Sequence, residues 1–181
     1  MARTDYAVNM GDFDLWPVLV RELGTNGAGL RIRGPYNLAQ GEDPDYDWPL
    51  PSPNTHEATY TGIIFRRSEV ALRDVQDGTT TTYLIGEKYL NPDDYRTGRD
   101  WGDNEDMYSG GNDSGRFTLR PPARDRKGTT AISIFGSAHP GGFHMAMCDG
   151  SVRVIGYHID SDVHRRLGHR HDGSSLDGGS F

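Results

Sequence analysis

Apolar and polar positions alternate most cleanly between residues 143 and 155. Phe143, Met145 and Met147 alternate with His144, Ala146 and Cys148; beyond Asp149-Gly150, Val152 and Val154 alternate with Ser151, Arg153 and Ile155. Period-two alternation on both sides of an Asp-Gly pair predicts antiparallel strands near 143–148 and 151–155, joined by a two-residue turn at positive φ. Further runs rich in β-branched and aromatic residues predict strands over 59–65, 82–87 and 129–135. Residues 68–75 suit a short N-capped helix or turn. Asp160 to Leu167 reads as a capped short helix ended by Gly168. From Gly24 to Pro53 the chain is dense in Gly, Pro, Asn and Asp, which predicts a long irregular excursion, with Tyr36, Tyr46 and Trp48 as aromatic anchors against the rest of the domain or a neighbouring subunit. The expected fold is mainly β, a β-rich α+β domain spanning 1–181: an antiparallel sheet or sandwich with short helices and long loops.

Composition narrows the partners. A chain of 181 residues, 34% hydrophobic and carrying 24 glycines, is long enough to bury roughly 70% of its unfolded surface without staples. Its net charge is −7 and its 19 Lys and Arg are dispersed, which disfavours nucleic acid or an anionic membrane and favours cations. Cys148 is the only cysteine, so no intrachain disulfide forms. Nowhere do 18 consecutive apolar residues occur, and no basic leader runs into an apolar stretch, so no membrane span or signal peptide is read.

Two groups of side chains invite chemistry. Asp100, Asp103, Asn104, Asp106, Asn112 and Asp113 put hard oxygen donors beside glycines, which suits calcium, although the spacing is not that of an EF-hand. The last third of the chain holds His139, His144, His158, His164, His169 and His171; converging imidazoles would make a transition-metal site, yet no structural-zinc spacing is present. His139, ahead of Pro140-Gly141-Gly142, is read as a turn-fixing residue whose ring bonds to backbone or to a carboxylate. His164, His169 and His171 with Arg165, Arg166 and Arg170 read as a solvated basic patch on the tail.

For catalysis the chain offers less. Cys148 falls in a regular strand rather than at an activating helix N-terminus. There is no Gly-x-Ser-x-Gly and no phosphate-binding glycine loop. Glu87 is the best single catalytic carboxylate, with structural pairing, for example to an arginine, as its simpler role. Thr79 to Thr82 suit either a strand entry or O-linked glycans on an exported protein.

The spacing from His139, across nine residues, to Asp149-Gly150 resembles the C-terminal signature of the prepilin-type, processing-associated proteins abundant in planctomycete-like bacteria, domain of unknown function 1559. Thr4 to Asp12, Asp77 to Glu87 and Ile159 to Leu167 supply further landmarks in family order. Family members commonly begin with a pilin-like leader and apolar helix, so this sequence is expected to be either a head domain separated from its anchor or a variant that works without one.

The resemblance implies a non-enzymatic, extracellular or cell-surface structural protein. It would be a pseudopilin-like head or filament subunit forming homo-oligomers, calcium-stabilised by analogy with some pseudopilin heads. The tail 168–181 is expected at a subunit contact, anchored by Leu176 and Phe181. The alternative is a carbohydrate- or solute-binding module using Trp48, Trp101 and Tyr108 as stacking platforms. A metal-dependent hydrolase built from the acidic loop and the histidines is a third reading.

Overall fold

A computed structural model of the protein describes residues 3–12, 37–46, 60–65, 68–104, 114–174 and 176. The chain divides into two compact units, residues 1–13 with 61–181, and residues 14–60. In the second unit, where an irregular excursion is expected, Leu38–Glu42 forms a short helix, α1, whose N-cap Asn37 accepts a hydrogen bond from the Gln40 amide.

The first unit is mainly β. Its principal sheet is built from β1 (Tyr6–Asn9), β2 (Tyr83–Glu87), β3 (Gly115–Arg116), β6 (Gly142–Met147) and β7 (Val152–Gly156), in the order β3-β1-β2-β6-β7. A second sheet pairs β4 (Ala123–Arg124) with β5 (Gly136–Ser137). The sheets are mixed rather than wholly antiparallel, because β1 runs parallel to β3 and β4 parallel to β5. The short helix α2 (Ser161–Leu167) follows β7. It starts where the Asp160 carboxylate accepts from the amides of Asp162 and Val163, and it ends at Gly168.

The β6–β7 hairpin forms where alternation places it, pairing Gly142 with Gly156 through Ala146 with Val152. Its turn is longer than expected. The Gly150 amide donates to the Met147 carbonyl and the Met147 amide to the Ser151 carbonyl, so Cys148, Asp149 and Gly150 form a three-residue loop. Gly150 sits at φ +85°, a left-handed position that a side-chain-bearing residue resists. The Asp149 carboxylate accepts from both the amide and the hydroxyl of Ser151, which closes the loop and holds that carboxyl below its usual range.

One face of the sheet carries the core. Tyr83, Phe143, Met145, Met147 and Ile155 are fully buried with Phe135 and with Leu167 of α2, and Tyr157, Ile159, Val163 and Leu176 pack around them. Each such side chain contributes roughly 1.5–3 kcal/mol through its removal from water. A register shift at Leu84 turns Tyr83 toward this core while Ile85 faces the other way. Gly86 leaves room for Met145, whose Cε would lie 2.3 Å from a Cβ at that position.

Two expected strands do not form. Residues 61–65 cross the end of β1, where the amides of Ile63 and Ile64 both donate to the Asn9 carbonyl, and they enter no ladder. Of 129–135, only Phe135 bridges, to Lys88. Regular pairing begins one residue later at β5. The short helix or turn expected within 68–75 is a single 3₁₀ turn, Leu72–Asp74, with the Ala71 amide donating to the Asp74 carboxylate.

Candidate functional site

The face of the sheet opposite the core carries two rows of side chains. Tyr6 stands opposite Glu87, and His144 opposite Val154; in the next row Val8 faces Ile85, Ile85 faces Ala146 and Ala146 faces Val152. Alternation along β2 and β6 thus sends Glu87 and His144 outward on neighbouring strands. His139 reaches the same point from the loop between β5 and β6. That loop is fixed from behind: the Tyr157 hydroxyl lies within 3.1 Å of the carbonyls of Ser137, His139 and Gly142, and the His139 amide donates to Ser137 Oγ.

The resulting cluster is compact. Glu87 Oε2 accepts from the His144 backbone amide at 2.6 Å and lies 3.0 Å from His144 Nδ1, while Glu87 Oε1 lies 3.3 Å from His139 Nε2. The two imidazoles stand edge to face, centroids 5.1 Å apart. The side chain of Glu87 is 13% exposed, those of His144 and His139 46% and 56%, so a half-sunk carboxylate lies beneath two accessible rings. Among the described residues this is the one group of three that could hold a metal ion. Glu87 pairs with histidines rather than with an arginine. Neither histidine-to-histidine spacing nor composition marks the trio; the signal is the β2–β6 register, and register is a property of the folded sheet.

Asp149 and Gly150, at the far end of the signature, do not join this cluster. The six residues of β6 separate the two ends by about 20 Å. The Asp149 amide instead donates to the Thr79 carbonyl and the Cys148 amide to the Thr82 carbonyl, seating the turn on the 3₁₀ turn Thr79–Thr81 and the residue after it.

The acidic turn is engaged elsewhere. Asp100 Oδ1 and Oδ2 accept from the amides of Gly102 and Asn91. Asp103 is paired at 3.0 Å with both Lys88 Nζ and Arg3 Nη1. Lys88 and Arg116 are themselves buried, and both donate to the Gly102 carbonyl. Asp100 and Asp103 therefore knit this turn together, and an ion there would compete with two cationic side chains for Asp103. Asn104 is exposed; Asp106, Asn112 and Asp113 lie outside the described residues, as do Trp48 and Tyr108. Trp101 stands 73% exposed.

The tail departs from a solvated basic patch. His164 is wholly buried, its Nδ1 3.3 Å from the Tyr83 hydroxyl, because it lies on the face of α2 that meets the core. Arg165 pairs with Asp12 and Asp162, and Arg166 with Asp162. Arg170 donates to the Gly62 carbonyl and covers the Phe65 ring. His169 Nδ1 lies 3.8 Å from Asp77. Leu176 packs against its own core, while Phe181 falls outside the described residues. Burial and the neighbouring Asp149 raise the Cys148 thiol to about 11, which leaves it protonated and unreactive near neutrality.

The family landmarks converge in this unit. Asn9, fully buried, donates through Nδ2 to the carbonyls of Tyr83 and Gly168 and accepts the Gly11 amide, tying β1 to β2 and to the residue that ends α2. A mainly β domain with the His–Asp-Gly hairpin at one edge of its main sheet is the class of protein this architecture defines. Residues 40–162 match the family described as "Protein of unknown function (DUF1559)", and the chain belongs to that family. No curated protein and no solved structure matches it.

Proposed function

We propose that this chain is a non-catalytic structural domain of the cell exterior that assembles with copies of itself through the open face and edge of its main sheet. The observation supporting this reading is the exposure of Val152 (66%) and Val154 (62%) on β7, continued inward by Ile85 and Tyr6. β7 is the sheet's last strand and pairs with no further strand among the described residues. An open edge bearing apolar side chains is a template for another strand, and a second copy brings an identical edge antiparallel to it across a two-fold axis. Light scattering and negative-stain microscopy over a concentration series test the reading. Assemblies are expected from the native chain, and Val154→Lys should leave monomers with an unchanged circular dichroism spectrum. A native chain that stays monomeric at high concentration would sink the proposal.

A second reading, a solute-binding module, is favoured by a half-open cavity of about 360 Å³ lined by Ile63, Val70, Leu84 and Cys148 together with Ser68 and Glu69. That volume suits a small ligand, and the lining suits an apolar or amphipathic one. Trp101 is not part of it, so a sugar-stacking role would belong to a different surface. Saturable thermal stabilisation by amphipathic solutes, abolished by Leu84→Trp, would move this reading ahead.

A further inference from the structure

We propose that Glu87, His139 and His144 bind a divalent transition-metal ion of the zinc type, at a site separate from the acidic turn at 100–104. One donor atom from each residue lies within 4.8 Å of the other two. Two imidazole nitrogens with a carboxylate oxygen are donors that zinc, cobalt, nickel and copper favour, whereas calcium and magnesium are held by oxygen. Metal–ligand bonds of about 2.0–2.2 Å place neighbouring donors of a tetrahedral ion roughly 3.3 Å apart. Glu87 Oε1 stands 3.3 Å from His139 Nε2 and Glu87 Oε2 stands 3.0 Å from His144 Nδ1, so an ion would take both carboxylate oxygens, or one after a rotation of the carboxylate, as the two rings approach each other. His139, more than half exposed, has room to make that approach.

The proton positions the cluster requires fit the same conclusion. A neutral ring donates to the carboxylate only as the tautomer with its proton on the facing nitrogen; ligation shifts that proton to the ring's other nitrogen and turns the facing lone pair toward the ion. The surroundings hold the donors in place. The His144 amide orients the carboxylate, and the Tyr157 hydroxyl and Ser137 brace the loop that carries His139. Such supporting contacts are what metal-binding side chains need in order to keep one orientation. Three protein donors under an open mouth leave the remaining coordination to water or to a donor from another molecule. The reading also gives the histidine of the signature a task distinct from the turn formed by its Asp-Gly end. It does not depend on self-association, since one chain supplies all three residues.

Calorimetric titration of the chelator-treated full chain with zinc chloride, in dilute solution, tests the site. Saturable uptake is expected, weakened about tenfold or more by His139→Ala, His144→Ala or Glu87→Gln, and unchanged by His171→Ala in the tail. Cobalt(II) should give visible ligand-field bands that His139→Ala removes, and calcium should not compete. Both rings are exposed, so the metal-free variants should melt with the native chain; His139→Gln, which keeps a polar side chain on the loop, serves if an alanine variant does not. Absence of zinc uptake by the native chain, or equal uptake by the His139→Ala/His144→Ala double variant, overturns the proposal.

Discussion

The two faces of the main sheet use similar residues and meet different surroundings. On the inner face Phe143, Met145, Met147 and Ile155 are fully buried under Phe135, Leu167 and His164. On the outer face Tyr6, Ile85, Val152 and Val154 are 37% to 66% exposed. Alternation along β6 and β7 allots side chains to faces, but apolar character alone does not say which face is covered. Coverage comes from α2 and from the segment around Phe135, which flank the hairpin in sequence but lie outside its alternating pattern. The inner face accordingly decides whether the domain folds, and the outer face is left to decide what it touches.

The sharpest way to break that division is Phe143→Ala. Phe143 stacks on Phe135 and Tyr157, and emptying its place should cost about 3–5 kcal/mol in chemical denaturation. A loss below about 1 kcal/mol would mean that the inner face is not the stabilising one.

A somewhat smaller effect is expected from pH. Burial pushes the His164 imidazole from 6.5 down to about 4, so it sits neutral in the core. Between those values the unfolded chain binds a proton that the folded chain refuses, and stability falls as the pH drops. The contribution is complete above about pH 6.5 and its loss approaches about 3 kcal/mol near pH 4. Denaturation midpoints at pH 7, 5.5 and 4.5 should show that slope in the native chain and lose it in His164→Phe; identical slopes in both would remove His164 as its origin.

The smallest expected effect lies on the outer face. Val152→Thr and Val154→Thr keep β-branching and should change the melting free energy of the monomer by no more than about 0.5 kcal/mol, while weakening association. If they instead destabilise the monomer as strongly as Phe143→Ala does, the outer face belongs to the domain's own core.

How much of this was legible in the chain depends on the reach of each interaction. The hairpin, α2 with its Asp160 cap and the mainly β class follow from local signals: alternation, a capping carboxylate, an Asp-Gly pair. The turn came out one residue longer because the Asp149 carboxylate folds back on Ser151, a bond that the dipeptide alone does not distinguish from a tighter turn. His164 and the arginines after it look like a surface patch in sequence, yet α2 packs one of its faces on the sheet. The pairing of Lys88 and Arg3 with Asp103 and the meeting of Glu87 with His139 and His144 join residues 15 to 100 positions apart or on different strands. The protein partners of Asp100 and Asp103 could not be seen in the sequence, because the fold brings them together.

Asn9 also has a consequence in time. Its amide group satisfies the carbonyl of Gly168, 159 residues away, so β1 cannot complete its bonding until residue 168 has been synthesised. At synthesis rates of about 5–20 residues per second, that polar group waits on the order of 10–30 seconds for its partner. Pairings so distant in sequence also make for slow folding. The emerging domain is therefore expected to stay open until residue 168 has been made, with Asn9 among the last groups to find its partners.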